Sequence, residues 1–333
     1  MDQNKGTLKI INYESKVLAG NPLNDPVNRE LCVYLPPGYE ESGENFPVVY
    51  FLTGFTGRGR MLLNDAAFSP NLAQRLDALI NGDKIGPIIG VMPDCFTKFG
   101  GSQYINSIGT GRYEDYLVDE LVPFVDEEFR TEPTREMRAL TGISSGGYGS
   151  MVLSMRRPEV FGAAASIAGD CLFEMCYKPD FGKAYRAIKG DPLALVDAFY
   201  DERVKKGKYA FDGFNAIGMS ACYSPNPESD YGFDLPFDTE TGLLRNDVWD
   251  RWLKHDPYFL ADSCKDALDS LSLFYIEAGN TDEFNLDISA KALSAKLSKM
   301  NVNHTYTEFD GGHFDIKYRF EHSLSAISKS FGY

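Results

Sequence analysis

The sequence has few of the residues that bind metals or build disulfide frameworks. Its 333 residues include four histidines and six cysteines, and the cysteines show no CxxC pair and no regular spacing. HExxH and P-loop motifs are also missing, so the sequence predicts neither a metal site nor a cofactor. We expect buried free thiols in a reducing cytoplasm, and only Cys171 and Cys176 suggest a disulfide.

Long apolar runs and an excess of positive charge are lacking as well. No run approaches the ~18 residues that cross a bilayer, and the N-terminal segment has no apolar core of a secretory signal. The formal net charge of −15 repels nucleic acid and anionic membrane surfaces. We therefore expect a cytoplasmic protein that binds a small molecule rather than nucleic acid or a membrane. Whether it forms a homo-oligomer is left open.

What the sequence does contain is an alternation of apolar strands and amphipathic helices. Strands are predicted over residues 7–11, 30–35, 47–53, 88–92, 138–141, 163–167, 271–276 and 305–309. Helical spacing of apolar residues covers 113–129, with a kink at Pro123, and recurs near 147–155, 286–297 and 316–331. The alternation predicts a single α/β domain over residues 1–333, with a mostly parallel central sheet flanked by helices.

Regularity lapses between about residues 170 and 257, a stretch rich in Tyr, Phe, Gly, Pro and Asp. The segment CYSPNPESDYGFDLPFD has too many breakers for a long helix or strand. We predict an irregular insertion that forms a lid or a pocket wall. Its aromatic residues could stack on sugar or phenolic rings or fill the insertion's own core; they are Tyr223, Tyr231, Phe233, Trp249 and Trp252.

The segment GISSGG, which begins at Gly142, lies between a predicted strand and a predicted helix. This is the G-x-S-x-G pattern of a nucleophile elbow, whose sharp turn exposes the serine hydroxyl. The flanking glycines let neighbouring backbone pass close by, and the helix N-terminus favours a developing oxyanion. We predict Ser144 as the nucleophile, with Ser145 as the competing serine. The alternative is a Gly/Ser turn that only links two elements.

A serine hydroxyl is a weak nucleophile until a base removes its proton. Of the four histidines, His313 lies in a glycine-bearing loop directly after the last predicted strand, at the sheet edge expected for the nucleophile. His304 begins a strand at the opposite edge, His322 lies off the apolar stripe of the final helix, and His255 closes the insertion. His313 is therefore the predicted base.

A third group must orient the imidazole and stabilise its charged form. Hydrolases with this elbow place the acid between the serine and the histidine in chain order. Asp282 follows the predicted strand 271–276 and is the predicted acid, unless it only caps the next helix. Glu283, Asp287 and Asp256 are weaker alternatives.

The loop after the predicted strand 47–53 predicts an oxyanion site. It reads TGFTG from Thr53, and its glycines allow backbone amides to turn inward. We predict the N–H groups of Phe55 and Ser145 as the donor pair, each typically worth ~3 kcal/mol in the transition state. An ordinary glycine-rich loop is the alternative.

Several motifs together resemble the putative-esterase family of α/β-hydrolases, which includes esterase D (S-formylglutathione hydrolase) and feruloyl and acetyl-xylan esterases. They are VYLPPGY from Val33, PVVYFLTGFTG from Pro47, GGSQYINS from Gly100, GRYEDYLVDELVPFVD from Gly111, GISSGG from Gly142, GNTDEFNL from Gly279 and GGHF ending at Phe314. The resemblance covers most of the chain outside the insertion and implies the α/β-hydrolase fold.

The resemblance places the family's triad on Ser144, Asp282 and His313. It also implies that the GSQY segment lines the acyl or leaving-group pocket; the predicted substrate-binding residues are Gly54, Gly101, Ser102, Gln103 and Tyr104. The sequence departs from the family at Thr53, where relatives often have histidine, and at Ser145, where they often have methionine. Neither departure removes a backbone amide.

These predictions describe a serine esterase that forms an acyl-enzyme on Ser144 without a metal or an organic cofactor. The expected substrate is a small-molecule or carbohydrate-linked ester, with aryl esters and thioesters included. Acyl transfer to a sugar or thiol by the same triad is an alternative. A non-catalytic binding protein on an esterase scaffold is another.

Overall fold

An eight-stranded sheet forms the centre of the protein in the computed structural model, which describes residues 4–333. A separate two-stranded sheet lies beside it. The strands are, in chain order, β1 (Thr7–Glu14), β2 (Asn28–Leu35), β3 (Val48–Leu52), β4 (Ile89–Pro93), β5 (Asn106–Ser107), β6 (Gly111–Arg112), β7 (Arg138–Ile143), β8 (Ala163–Ile167), β9 (Leu273–Gly279) and β10 (Thr305–Phe309).

The large sheet has the order β1-β2-β4-β3-β7-β8-β9-β10. The β1–β2 and β2–β4 pairs are antiparallel, and every other neighbouring pair is parallel. Strands β3, β4 and β8 are buried along their whole length, because helices cover both faces of the sheet. The predicted mostly parallel sheet with flanking helices is therefore confirmed.

Helices account for nearly half of the described residues outside the strands. The α-helices are α1 (Tyr39–Ser42), α2 (Leu72–Asn81), α3 (Tyr113–Asp115), α4 (Val122–Glu128), α5 (Ser145–Arg156), α6 (Phe173–Cys176), α7 (Phe181–Ile188), α8 (Pro192–Tyr200), α9 (Ala210–Tyr223), α10 (Asn246–Leu253), α11 (Pro257–Ser263), α12 (Lys265–Asp269), α13 (Leu286–Lys299) and α14 (Phe320–Ser330). Short 3₁₀ turns are Gly59–Leu63, Arg135–Met137, Lys178–Asp180 and Lys317–Arg319. Within residues 4–333, no helix is long and apolar enough to span a membrane.

The helix predicted over residues 113–129 is continuous but not regular. A π-helix, Tyr116–Leu121, separates α3 from α4, and Pro123 lies in the first turn of α4. Proline has no N–H, so it cannot donate a hydrogen bond to the carbonyl one turn earlier. Just before it, the backbone hydrogen bonds span five residues instead of four, which is the π-helical pattern. The segment is therefore irregular next to Pro123, and the kink itself stays a prediction.

The insertion between residues 170 and 257 is not irregular, and this part of the fold prediction is wrong. It contains α6 to α10, and α7, α8 and α9 pack against one another. Glycines misled the prediction, because Gly213 lies inside α9, where a Cβ atom would be 2.6 Å from a Leu195 methyl. The glycine therefore permits close helix packing instead of breaking the helix. The segment between α9 and α10 contains no helix, as predicted, and neither do residues 201–209 between α8 and α9.

The aromatic residues of the insertion are mostly buried, and Tyr223, Trp249 and Trp252 join the hydrophobic cluster that continues into the core of the sheet. Tyr223, Phe233, Trp249 and Trp252 are buried, and Tyr231 is partly exposed. All six cysteines are free thiols; five of them are buried, as expected, whereas Cys264 is partly exposed. Cys171 and Cys176 form no disulfide.

An ion pair beneath the sheet edge joins β9 to the start of the last helix. Strand β9 continues to Gly279, beyond the predicted end at residue 276, so Glu277 lies inside the sheet. Its fully buried carboxylate contacts Arg319 at 2.5 Å and 3.2 Å and accepts a hydrogen bond from the Tyr275 hydroxyl at 2.7 Å. Arg319 follows the loop that contains His313, so the pair anchors that loop to β9.

Replacing Arg319 by methionine is expected to lower the free energy of unfolding by about 3–5 kcal/mol, because the Glu277 charge would stay buried without its cation. Urea unfolding measures this cost. The double variant Arg319→Met with Glu277→Gln should recover most of the loss, since it removes the buried charge. A single variant that costs under about 1 kcal/mol would contradict the assignment.

Candidate active site

The loops that follow the parallel strands meet at one edge of the sheet. Ser144 follows β7, Asp282 follows β9, His313 follows β10, and the loop from Thr53 follows β3. Open α/β sheets bind ligands at this carboxyl edge. The topology therefore brings together side chains that are far apart in sequence.

Ser144 occupies a strained turn between β7 and α5. Its φ of 60° and ψ of −124° are rare for a residue with a side chain. The turn is fixed by the Ser144 N–H, which donates to the Ile167 carbonyl at 3.0 Å. A Cβ atom at Gly146 would lie 2.1 Å from the Leu52 carbonyl oxygen, so only glycine fits there. The sequence G-x-S-x-G thus forms a sharp elbow that presents Oγ at the sheet edge.

Three side chains form a hydrogen-bonded chain at this edge. Ser144 Oγ lies 3.0 Å from His313 Nε2, and His313 Nδ1 lies 2.9 Å from Asp282 Oδ2. Both His313 and Asp282 are buried. This arrangement lets the imidazole accept the serine proton while the carboxylate fixes the ring orientation.

The carboxylates considered as alternatives have other contacts. Glu283 accepts the backbone N–H of His313 at 2.6 Å, so it holds the histidine loop and not the ring. Asp256 caps α11 and accepts the N–H groups of Leu172 and Phe173. Asp282 also serves the local turn, because Oδ1 accepts the Phe284 N–H at 2.8 Å. Capping and imidazole binding therefore use different oxygens of one carboxylate.

The remaining histidines lie away from the chain formed by Ser144, His313 and Asp282. His304 binds the Ser294 hydroxyl beside the start of β10. His322 is exposed on α14. His255 stacks on Tyr223, and burial lowers its pKa to about 4, so it is neutral near pH 7.

The predicted oxyanion loop approaches Ser144 closely. A Cβ atom on Gly54 would lie 3.3 Å from Ser144 Cβ, so the loop backbone passes directly beside the elbow. Among residues 4–333, the amide N–H groups of Phe55 and Ser145 have no hydrogen-bond acceptor. The Ser145 N–H is also in the first turn of α5, where backbone donors point toward the sheet edge. Two free amides near one hydroxyl can stabilise an oxyanion.

A cavity of about 320 Å³ opens beside Ser144 and His313. The α6–α10 insertion forms much of its wall, and the cavity is mainly apolar and aromatic. Its polar and charged side chains include one cation, Lys317, and four carboxylates, Asp170, Asp180, Asp212 and Asp315. Its aromatic lining residues are Phe55, Tyr177, Phe181, Phe211, Trp252, Phe284, Phe314 and Phe320.

Of the predicted substrate-binding residues, only Gly54 lines this cavity, and the prediction for Gly101, Ser102, Gln103 and Tyr104 is corrected. The Phe55 ring covers Gly101, whose ideal Cβ atom lies 3.4 Å from it. Gln103 and Tyr104 have positive φ values of 51° and 57°, and both side chains are buried. Tyr104 donates to the Thr53 carbonyl at 2.6 Å and so supports the oxyanion loop from behind.

Asp170, a residue that the sequence analysis did not select, lies in the cavity wall. It follows β8, and its Oδ2 accepts hydrogen bonds from Tyr177 at 2.8 Å, Ser145 at 3.3 Å and Gln103 at 3.5 Å. Burial raises its pKa above the usual range, although the Tyr177 hydrogen bond acts in the opposite direction. The sequence could have indicated Asp170 by its position directly after a parallel strand, because the other site residues also follow parallel strands.

The strand order, the elbow and the cavity at the carboxyl edge define a protein of the α/β-hydrolase class. The family model described as "Putative esterase" matches residues 26–331. The chain therefore belongs to the putative esterase family, as its motifs predicted.

Curated relatives match part of the chain. An endo-1,4-beta-xylanase/feruloyl esterase from Xylanibacter ruminicola is 31% identical over 198 residues, which is 56% of this chain and 25% of that protein. The chain thus spans a quarter of that relative's length. The uncharacterized protein YbbA from Bacillus subtilis is 28% identical over 218 residues, 58% of this chain and 80% of that protein.

Solved structures share the fold over nearly the whole chain. A ferulic acid esterase superposes with a TM-score of 0.64 at 18% identity, covering 98% of this chain and 99% of that one. An S-formylglutathione hydrolase from Agrobacterium tumefaciens gives 0.60 at 15% identity, covering 98% and 96%. At these identities the likeness concerns the fold.

Proposed function

We propose that this protein is a serine esterase that hydrolyses neutral aromatic carboxylic esters through an acyl-enzyme on Ser144. The observation that carries the proposal is the continuous hydrogen-bonded chain from Ser144 Oγ through His313 to Asp282, on a strained elbow beside a cavity. Membership of the putative esterase family supports the same reaction class.

In the first step, His313 Nε2 takes the Ser144 proton while Oγ attacks the ester carbonyl carbon. The carbonyl oxygen becomes an oxyanion, which the N–H groups of Phe55 and Ser145 stabilise. The intermediate collapses as the alcohol leaves with the proton from His313. Water then attacks the acyl-enzyme with His313 as base again, and the acid departs as Ser144 regains its proton. Asp282 stabilises the imidazolium in both steps.

The cavity favours a neutral aromatic substrate. Its aromatic walls suit an aryl ring, since such rings pack edge to face at centroid distances of 4.5–7 Å. Its four carboxylates and single lysine disfavour an anionic thioester such as S-formylglutathione. The names of the Xylanibacter relative and of the ferulic acid esterase neighbour agree with an aryl ester.

A panel of esters tests this proposal. We expect kcat/KM for methyl ferulate to exceed the values for acetylated xylose and S-formylglutathione by at least about tenfold, given what one aromatic contact contributes. Added alcohol measures transfer against hydrolysis, and hydrolysis is expected to dominate. A preference for S-formylglutathione would contradict the substrate class.

Labelling with a fluorophosphonate probe tests the chemistry independently of the substrate. The expected product is one covalent adduct on the peptide that contains Ser144, because the probe reacts with a serine that a nearby base activates. The matched control is the Ser144→Ala variant, which retains Ser145. Labelling of that variant, or of another peptide, would refute the assignment of the nucleophile.

A further inference from the structure

We infer that Asp170 determines substrate specificity by accepting a hydrogen bond from a hydroxyl or ammonium group of the ester. This inference rests on the proposed esterase function of the same cavity. It adds a required substrate feature, a hydrogen-bond donor, which neither the aromatic walls nor the serine chemistry demands.

Asp170 is close to the reacting centre. Its Oδ2 lies 3.3 Å from the hydroxyl of Ser145, the residue that follows Ser144. Both Asp170 and Ser145 line the cavity, although the residues themselves are 7% and 3% exposed. A substrate whose carbonyl reaches Ser144 Oγ therefore brings its neighbouring atoms near the Asp170 carboxylate.

The carboxylate of Asp170 is held rigidly by one oxygen only. Oδ2 accepts the three hydrogen bonds from Tyr177, Ser145 and Gln103. Oδ1 has no hydrogen-bond partner within residues 4–333. It is not fully buried either, so it is open to the cavity that Asp170 lines. A carboxylate has about four acceptor sites, so Oδ1 can bind a donor on the substrate.

Asp170 also differs from the other carboxylates of the cavity wall. Asp180 and Asp212 both contact Lys183, at 2.6 Å and 3.7 Å, and Asp315 is exposed to solvent. No cation of residues 4–333 lies within 4.0 Å of the Asp170 carboxylate. A buried charge without a cation costs free energy unless hydrogen-bond donors surround it. A donor on the substrate therefore contributes more binding free energy at Asp170 than at the solvated carboxylates.

Gln103 supports the Asp170 carboxylate from the core side. It is 1% exposed, and its Nε2 donates to the Tyr223 hydroxyl at 3.0 Å and to Asp170 Oδ2 at 3.5 Å. Donors from the protein therefore use Oδ2, and Oδ1 is the acceptor left for the substrate. An acceptor of this kind favours a hydroxyl or an ammonium over an ether or a carboxylate.

The variant Asp170→Asn separates substrate recognition from structural support. The single oxygen of asparagine can still accept the hydrogen bonds from Tyr177, Ser145 and Gln103. Its NH₂ group then replaces Oδ1 in the cavity, so an acceptor becomes a donor. Selectivity should therefore change even if the fold is retained, and thermal unfolding checks the fold.

The substrates are methyl 3-phenylpropanoates with a hydroxyl at ring position 2, 3 or 4, each paired with its methoxy counterpart. A 4-aminomethyl ester supplies the ammonium, and 2-hydroxyethyl and 2-methoxyethyl 3-phenylpropanoate move the donor to the alcohol side.

We expect kcat/KM to favour at least one donor ester over its ether partner by about tenfold, as for a hydrogen bond to a charged group. Asp170→Asn should lower that ratio to about one or less. The exposed Asp247→Asn variant, which makes the same charge change, should keep it.

Preference for the ammonium over the hydroxyl ester would identify a cationic substrate. Donor-to-ether ratios within threefold for every pair, or a ratio that Asp170→Asn leaves unchanged, would overturn the inference. Binding of 3-(hydroxyphenyl)propanamides and their methoxy analogues to the Ser144→Ala protein, by calorimetry, tests the acceptor without hydrolysis. Donor-selective binding without ester hydrolysis by the native protein would refute the proposed function and retain the role of Asp170.

Discussion

Replacing Ser144 by alanine is expected to lower kcat for ester hydrolysis by about a million-fold, the loss typical of enzymes whose nucleophile and base act as a unit. The Ser144 hydroxyl lies on the strained elbow with a base beside it, because His313 Nε2 is 3.0 Å from Oγ. Without it, bound water near the oxyanion donors is the remaining route. Steady-state kinetics with methyl ferulate, supported by single-turnover measurements, would determine the loss.

The neighbouring serine supplies the matched control for Ser144→Ala. Ser145→Ala keeps the backbone N–H at the start of α5 and removes only the hydroxyl that donates to Asp170 at 3.3 Å. We expect a loss of no more than about tenfold, the worth of one hydrogen bond to a charged group. A larger loss of kcat in Ser145→Ala than in Ser144→Ala would show that Ser144 is not the nucleophile.

The variant Asp282→Asn is expected to lower kcat by about ten thousand-fold while leaving the fold intact. Asparagine retains a carbonyl oxygen for the Phe284 N–H, which Asp282 Oδ1 now accepts at 2.8 Å. Its amide cannot stabilise the imidazolium and favours the tautomer that places the proton on Nε2, the atom that must accept the serine proton. The measurement is kcat together with the circular dichroism of the folded protein.

Glu283→Gln tests whether the adjacent carboxylate shares this role. Its carboxylate binds the backbone N–H of His313 at 2.6 Å, and the amide oxygen of glutamine can accept the same hydrogen bond. The expected loss of kcat is below about tenfold, because the imidazole keeps Asp282. If Glu283→Gln were the more damaging substitution, the acid would have to be reassigned.

Local sequence patterns predicted the sheet well. Strand β8 coincides with the predicted residues 163–167, because buried parallel strands are short apolar runs bounded by turns. The edge strand β10 coincides with the predicted residues 305–309, although most of its residues are exposed or partly exposed. The elbow was equally readable, since glycines around a serine between strand and helix have a local steric cause. The three side chains predicted as a triad lie within hydrogen-bonding distance. Their catalytic roles stay predictions.

Patterns failed where packing between distant segments decides the structure. Residues 170–257 were predicted to be irregular from their composition, yet Gly213 lies inside α9 and allows that helix to approach Leu195 closely. Gln103 and Tyr104 were predicted to face the pocket, yet both are buried behind its wall. A residue's contacts across a protein depend on where other elements lie, and a single sequence carries no direct signal of that placement.

The sequence by itself determined where the strands of the large sheet lie along the chain, the acidic net charge and the serine elbow, because each follows from neighbouring residues or from composition. Only the tertiary structure decided which side chains share the cavity. It brought Asp170 beside Ser145 and covered Gly101 with the Phe55 ring. The physical reason is that hydrogen bonds and van der Waals contacts act over a few ångströms, whereas these residues converge only when the parallel strands align their carboxyl ends.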